Sequence, residues 1–273
     1  MRRYTTSTTS GKRPGPTPGE RRERSTRRLL DVVVKDFGKL VSLNLLLCSC
    51  GLPSAALYAL ALIGVGNGWV LALAVVASAP LGGALSAAMF CLTQVLQRQP
   101  VAVWYDFRRK FTENWRALAV PGAVLAAFVF AQLHFWAMVF SGEDVGMWGA
   151  VLLSLSFGVV LAIAPYVFLQ VAYLDAGIGR VLANALILSS SNVLRTFAGL
   201  LCGSFAWILL ALFLPVSLVL APVVLIAGFS VTLLANLVYI WPVVDRQFGI
   251  SDELDARRAR TVQGIVPLFP SAD

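Results

Sequence analysis

Charged residues fall in blocks along this chain, and the sequence between the blocks carries none. No Asp, Glu, Lys or Arg occurs between Lys39 and Arg98, Arg116 and Glu143, Asp144 and Asp175, or Arg195 and Asp245. A membrane-crossing helix needs about 20 apolar residues, so the first and fourth stretches hold two each and the middle ones hold one. Turn chemistry divides them. "GVGNG" at 64–68 and "SGEDVG" at 141–146 gather Gly and Asn or Asp between apolar runs, as turns do. In the fourth stretch, Pro215 and Pro222 offer the place to reverse direction. The pattern predicts an all-α integral membrane protein with six transmembrane helices, at about 40–63, 70–96, 117–140, 147–174, 197–214 and 217–241.

One charged block has a period of its own. At about 100° per residue, Trp104, Phe107, Phe111, Trp115 and Leu118 of "VWYDFRRKFTENWRAL" share one helix face, with Arg109, Lys110, Glu113 and Arg116 opposite or flanking. Asp106 can pair with Lys110, and Glu113 with Arg109, at i,i+4 spacing. A base-stacking strip would leave aromatics free beside the cations, whereas here all the large aromatics except Tyr105 lie together. The segment reads as an interfacial helix, and no specific nucleic-acid partner is expected. Asp106, Arg109, Lys110 and Asn114 are its candidates for docking another protein.

Related blocks recur. "DFGKLVSLN" at 36–44, "DFRRKFTEN" at 106–114 and "NALILSSSN" at 184–192 align on Asn44, Asn114 and Asn192, and "QRQ" at 97–99 aligns with "DRQ" at 245–247. Such internal periods predict three units, each a cytoplasmic amphipathic helix followed by a transmembrane hairpin.

Composition agrees. Apolar residues make up 58% and charged ones 13% of the 273 positions, and mean hydropathy is +0.77, whereas a soluble domain carries about 25% charge. All 22 Lys and Arg fall in 1–39, 97–116, 175–196 and 245–273. The positive-inside rule then predicts both termini in the cytoplasm of a plasma-membrane, multi-pass protein. The 39 residues before the first span are too long for a signal peptide's basic region, so that span is expected to be retained. Residues 1–28 are basic and rich in Ser, Thr, Pro and Gly, a composition that predicts disorder and, equally, a lipid-attracting tail or a bare topology determinant. Residues 29–245 form the membrane domain and 246–273 a C-terminal cytoplasmic tail.

Catalytic chemistry is hard to find. The chain has no Walker-type loop, HExxH, GxSxG or paired Cys/His cluster, so no enzyme activity, metal or cofactor is expected. Cys48, Cys50, Cys91 and Cys202 lie in apolar spans and read as small hydrophobes. His134 has no acid in its layer and reads as a hydrogen-bonded structural residue, not a proton relay. Gln132, Gln170 and Asn236 read as helix–helix hydrogen bonds. "LDAGIGRVLANALIL" at 174–188 is similar to the coupling loop of sugar-importer permeases but lacks its Pro ending, so an amphipathic connector is the favoured reading.

"SAPLGGALSAAMF" at 78–90, the polar link after it, and the aromatic-Asp-Phe, basic run and "ENW" ending at Trp115 together resemble the YesL-like family of small bacterial integral membrane proteins. Asn44 with Pro53, and "SSSNVLRT", are similar to the family's first span and its later Asn-to-Arg segment. The resemblance covers roughly 37–245 and is most specific over 78–118. It implies a loose association with carbohydrate uptake and no established catalysis. The expected role is an accessory or regulatory component of solute uptake, with the lipid bilayer and an importer complex or other membrane protein as partners. The alternative is a transporter or channel for a neutral or hydrophobic solute. Topology is directly testable: reporter fusions after residues 66, 144 and 215 should read external, and those after 100, 178 and 260 internal. A cytoplasmic signal at 144 would overturn the arrangement.

Overall fold

The computed structural model describes residues 30, 32–63, 68–97, 99–142, 146–174, 176–212 and 214–250, with backbone alone at 147 and 206–225. The tail 1–28, the C-terminal tail beyond 250 and the tips of the turns at 64–67 and 143–145 lie outside the described residues. Every described element is a helix: α1 (Phe37–Leu62), α2 (Gly68–Ala77), α3 (Ala79–Leu96), α4 (Val103–Phe140), α5 (Met147–Tyr173), α6 (Ile178–Ser191), α7 (Val193–Leu212) and α8 (Leu214–Phe248). Five stretches are long and apolar enough to cross a membrane, counting α2 and α3 as one. A sixth is reached if α6 and the first part of α7, bent by 93° at their junction, count as one span.

Local chemistry explains three differences from the sequence reading. The second span is split at Ser78 because Pro80, in the first turn of α3, has no N–H to continue the ladder from α2. The last hairpin turns between α7 and α8, and both proline positions lie within α8. Pro215 stands in the first turn, where a missing N–H is harmless, so it starts a helix and does not make the turn. The amphipathic segment and the third span are one helix. The 38 residues of α4 extend about 57 Å, against about 30 Å for the hydrocarbon core, so its charged first third is a prolongation of the span.

The helices pack in a cyclic order. α3, α5 and α8, the second members of the three hairpins, contact one another at the centre. Around them, α1 packs on α3 and α8, α4 on α5 and α3, and α7 on α8 and more lightly on α5. Each first member therefore touches its own partner and the partner of the preceding hairpin.

Burial is uneven along the bundle axis. One contiguous core joins Leu40, Leu43 and Leu47 of α1, Ala84–Leu96 of α3, Tyr166–Leu169 of α5 and Leu234–Val244 of α8. All of these lie toward the helix ends that carry the Lys and Arg residues. Farther out there is a small cluster, where Tyr58 stacks on Phe130 at 4.6 Å and donates to its carbonyl at 3.3 Å. Trp69, Phe140 and Trp148 at the far helix ends are exposed, as aromatics at a membrane–water boundary are. Among the described residues, burial is densest at the basic end.

The tightest seam is between α3 and α4. A Cβ on Gly82 would stand 2.1 Å from the Leu118 carbonyl oxygen, one on Gly83 would stand 2.8 Å from Trp115 Cα, and one on Gly122 would stand 2.5 Å from the Gly82 nitrogen. Only glycine permits this backbone contact, the small-residue packing of membrane helices. Gly82→Ala should therefore destabilise the detergent-solubilised protein by about 1–3 kcal/mol or more. Gly158→Ala, with open space around it, should be neutral or stabilising by up to about 1 kcal/mol. Thermal unfolding followed by tryptophan fluorescence distinguishes the two, and equal effects would refute the seam.

Candidate docking surface

The antiparallel seam fixes what the charged third of α4 can present. Gly82 lies by Leu118, Gly83 by Trp115, Ser86 by Asn114 and Phe90 by Lys110, so α3 covers one side of α4 back to its first turns. The expected aromatic face divides as a result. Phe107 is 5% exposed and Leu118 is fully buried, Phe111 packs against the main core, and the Phe107 and Phe111 rings stack at 6.2 Å. Trp104 is 67% exposed and Trp115 lies at the margin. The buried stripe is rotated from the predicted one because α3, not lipid, covers it.

The polar candidates divide in the same way. Asp106 accepts the Ala102 N–H at 2.9 Å and so ties down the first turn of α4, where a carboxylate also suits the helix dipole. The expected Asp106–Lys110 pair is replaced. Lys110 bonds Glu113 at 2.8 Å and Arg109 bonds the same carboxylate at 3.1 Å. Lys110 also sits 5.1 Å from the Phe90 ring centroid and is half-buried, while Arg109 is exposed. Asn114 turns inward, its amide 3.5 Å from Ser86 Oγ. What faces outward is Trp104, Tyr105, Arg108, Arg109 and Thr112. Tyr105 and Arg108 were passed over in the sequence because both lie off the apolar stripe. That stripe, read as covered by protein, would have exposed them.

The repeated asparagines mark a shared position. Asn44 Oδ1 accepts the backbone N–H groups of Phe229 and Ser230 in α8, at 3.0 and 3.2 Å. Asn114 reaches α3. At the third position, the Asn192 carbonyl accepts from Thr196 Oγ1, which lies 2.9 Å from Tyr166 Oη of α5. The Asn44 and Asn114 side chains each link a first span to the second span of the preceding hairpin, whereas the Asn192 side chain bonds to the Leu188 carbonyl and Ser191 Oγ of its own segment and Thr196 makes the link to α5.

Other polar residues were placed with mixed success. Gln132 donates to Ser154 Oγ at 3.2 Å, joining α4 to α5. Gln170 is fully buried, yet among the described residues neither of its amide atoms has a hydrogen-bond partner, and Asn236 Oδ1 also lacks one. Phe90 and Trp241 rings flank Tyr173 at 5.3 and 5.6 Å. His134 is exposed on α4, contrary to the structural role expected of it. All four cysteines are free, and Cys202 is exposed rather than buried. Among the described residues no three His, Cys, Asp or Glu side chains come together as metal ligands.

No family model, curated protein or solved structure matches the chain.

The division of the aromatic stripe has a measurable consequence. Phe107→Ala should cost about 3–5 kcal/mol, whereas Trp104→Ala should stay within about 0.5 kcal/mol, both read by thermal unfolding in detergent. Equal, small costs would return Phe107 to a lipid-facing position.

Proposed function

We propose that this protein is a non-enzymatic accessory or regulatory component of a solute-uptake system in the plasma membrane, with both termini cytoplasmic. The observation that carries the reading is the outward face of α4's charged third, with Trp104, Tyr105, Arg108 and Arg109 exposed on a helix held rigidly by the α3 seam. Interfaces favour aromatic and Arg anchors, and a rigid support lowers the ordering cost of binding. The resemblance to the YesL-like family supports a partner in carbohydrate uptake, such as an importer complex.

A second reading is a transporter or channel for a neutral or hydrophobic solute, favoured by the Gln170 amide and Asn236 Oδ1, which have no hydrogen-bond partner among the described residues inside the bundle. An ion-coupled mechanism normally uses a titratable group at membrane depth, and His134 is the candidate there.

Co-purification from native membranes in gentle detergent tests the first reading. A solute-importer subunit should accompany the wild-type protein, and Arg108→Glu with Arg109→Glu should reduce its recovery about tenfold while insertion is preserved, a loss of about 1.4 kcal/mol. His134→Ala should leave recovery unchanged. Solute flux through the purified protein alone in liposomes, abolished by Gln170→Leu, would instead establish the transporter reading.

A further inference from the structure

An open-sided groove of about 530 Å³ lies between α4, α5 and α6, and every residue lining it is apolar. Its floor includes Val167 and Phe168 of α5, which are buried, while Val120 of α4 and Leu182 of α6 form exposed walls. On α4 the lining runs from Ala117 to Leu125, which is about 13 Å of helix. Half of the hydrocarbon core is about 15 Å deep, so the groove has the length of one leaflet. It occupies the leaflet on the basic side, since Arg116 immediately precedes its first lining residue.

The basic end of the groove has a cationic rim. Arg116 lies one helical turn from Val120 and is exposed, with its guanidinium 5.6 Å from the Trp115 ring centroid. Unlike Arg109 and Lys110, which share Glu113, it has no carboxylate partner among the described residues. Arg180 is also exposed in the first turn of α6, but it stands two residues from both Ile178 and Leu182, which line the groove, and so projects from the opposite face of that helix. An apolar slot one leaflet long, with an unpaired arginine at its headgroup end, is complementary to an amphiphile with a hydrocarbon tail and an anionic head. Arg favours phosphate because its planar fork can bond two oxygens at once.

We propose that the α4–α5–α6 groove is a binding site for an anionic phospholipid of the basic-side leaflet. One acyl chain lies along Val120, Ala164 and Leu182, and the phosphate meets Arg116. Basic pockets between transmembrane helices are a general setting for such lipids. The site uses residues separate from the outward Trp104–Arg109 surface, so it stands whether or not that surface docks a protein.

Native mass spectrometry of the full-length protein in mild detergent tests it, with phosphatidylglycerol and phosphatidylcholine of equal chain length as probes. The wild type should retain one phosphatidylglycerol about tenfold more strongly than phosphatidylcholine. Arg116→Gln should remove the preference but leave weak retention of both, whereas Arg180→Gln should keep it. Val120→Trp, which narrows the slot from an exposed wall and spares the core, should reduce retention of both lipids alike. Equal retention by the wild type, or a preference that survives Arg116→Gln, overturns the proposal. A stable dimer broken by Val120→Trp would also overturn it, because the groove would then be a seam between two copies.

Discussion

A methyl group on Gly82 would stand 2.1 Å from the carbonyl oxygen of Leu118, and much of the basic end of this protein follows from that contact. In hydrocarbon, apolar side chains gain little by meeting one another because lipid tails solvate them equally well, so helices associate where backbones can approach closely. Gly82, Gly83 and Gly122 allow that approach. They also fix an antiparallel register that sets Ser86 by Asn114 and Phe90 by Lys110. The charged third of α4 is therefore a structural extension of the bundle, with one side committed to α3 and the other left to the outside.

The same register bears on depth. Arg108, Arg109, Lys110, Glu113 and Arg116 run alongside α3 from about Gly83 onward, and charges are costly within hydrocarbon. The part of α3 beside them therefore lies toward the headgroups of the basic side. Among the described residues the larger buried cluster lies toward that end and a smaller one lies farther out. The exposed apolar surface of α2, α5 and the outer part of α4 is ordinary for helices bathed in lipid.

Much of this was legible in the sequence because the bilayer imposes a strong, one-dimensional rule. Charge-free stretches marked out the long apolar helices. Pro215 misled because a proline can begin a helix as readily as it ends one, and position alone decides between them. The expected stripe of 104–118 divides between buried Phe107 and exposed Trp104, because periodicity does not say whether lipid or protein covers a face. The covering came from Gly82 and Gly83, more than 20 residues away, whose meaning depends on register. His134 and Gln170 failed in opposite directions for a related reason: a single polar residue in an apolar span carries no signal about which way it faces.

The repeated Asn is the case where sequence and structure inform each other most. Asn44, Asn114 and the carbonyl of Asn192 engage different chemical partners: a pair of backbone amides, a serine hydroxyl and a threonine hydroxyl. Conserving the bond itself cannot explain a motif that makes three different bonds. What the three positions share is location, the crossing of a first span with the second span of the preceding hairpin. At two of the crossings the Asn side chain itself makes the link; at the third it bonds to the Leu188 carbonyl and Ser191 Oγ of its own segment, and Thr196 reaches Tyr166 instead. The three hairpins keep one cyclic packing order although their polar links differ. The segments before the spans differ too, one a helix that runs on from its span and another a helix bent by 93° from it.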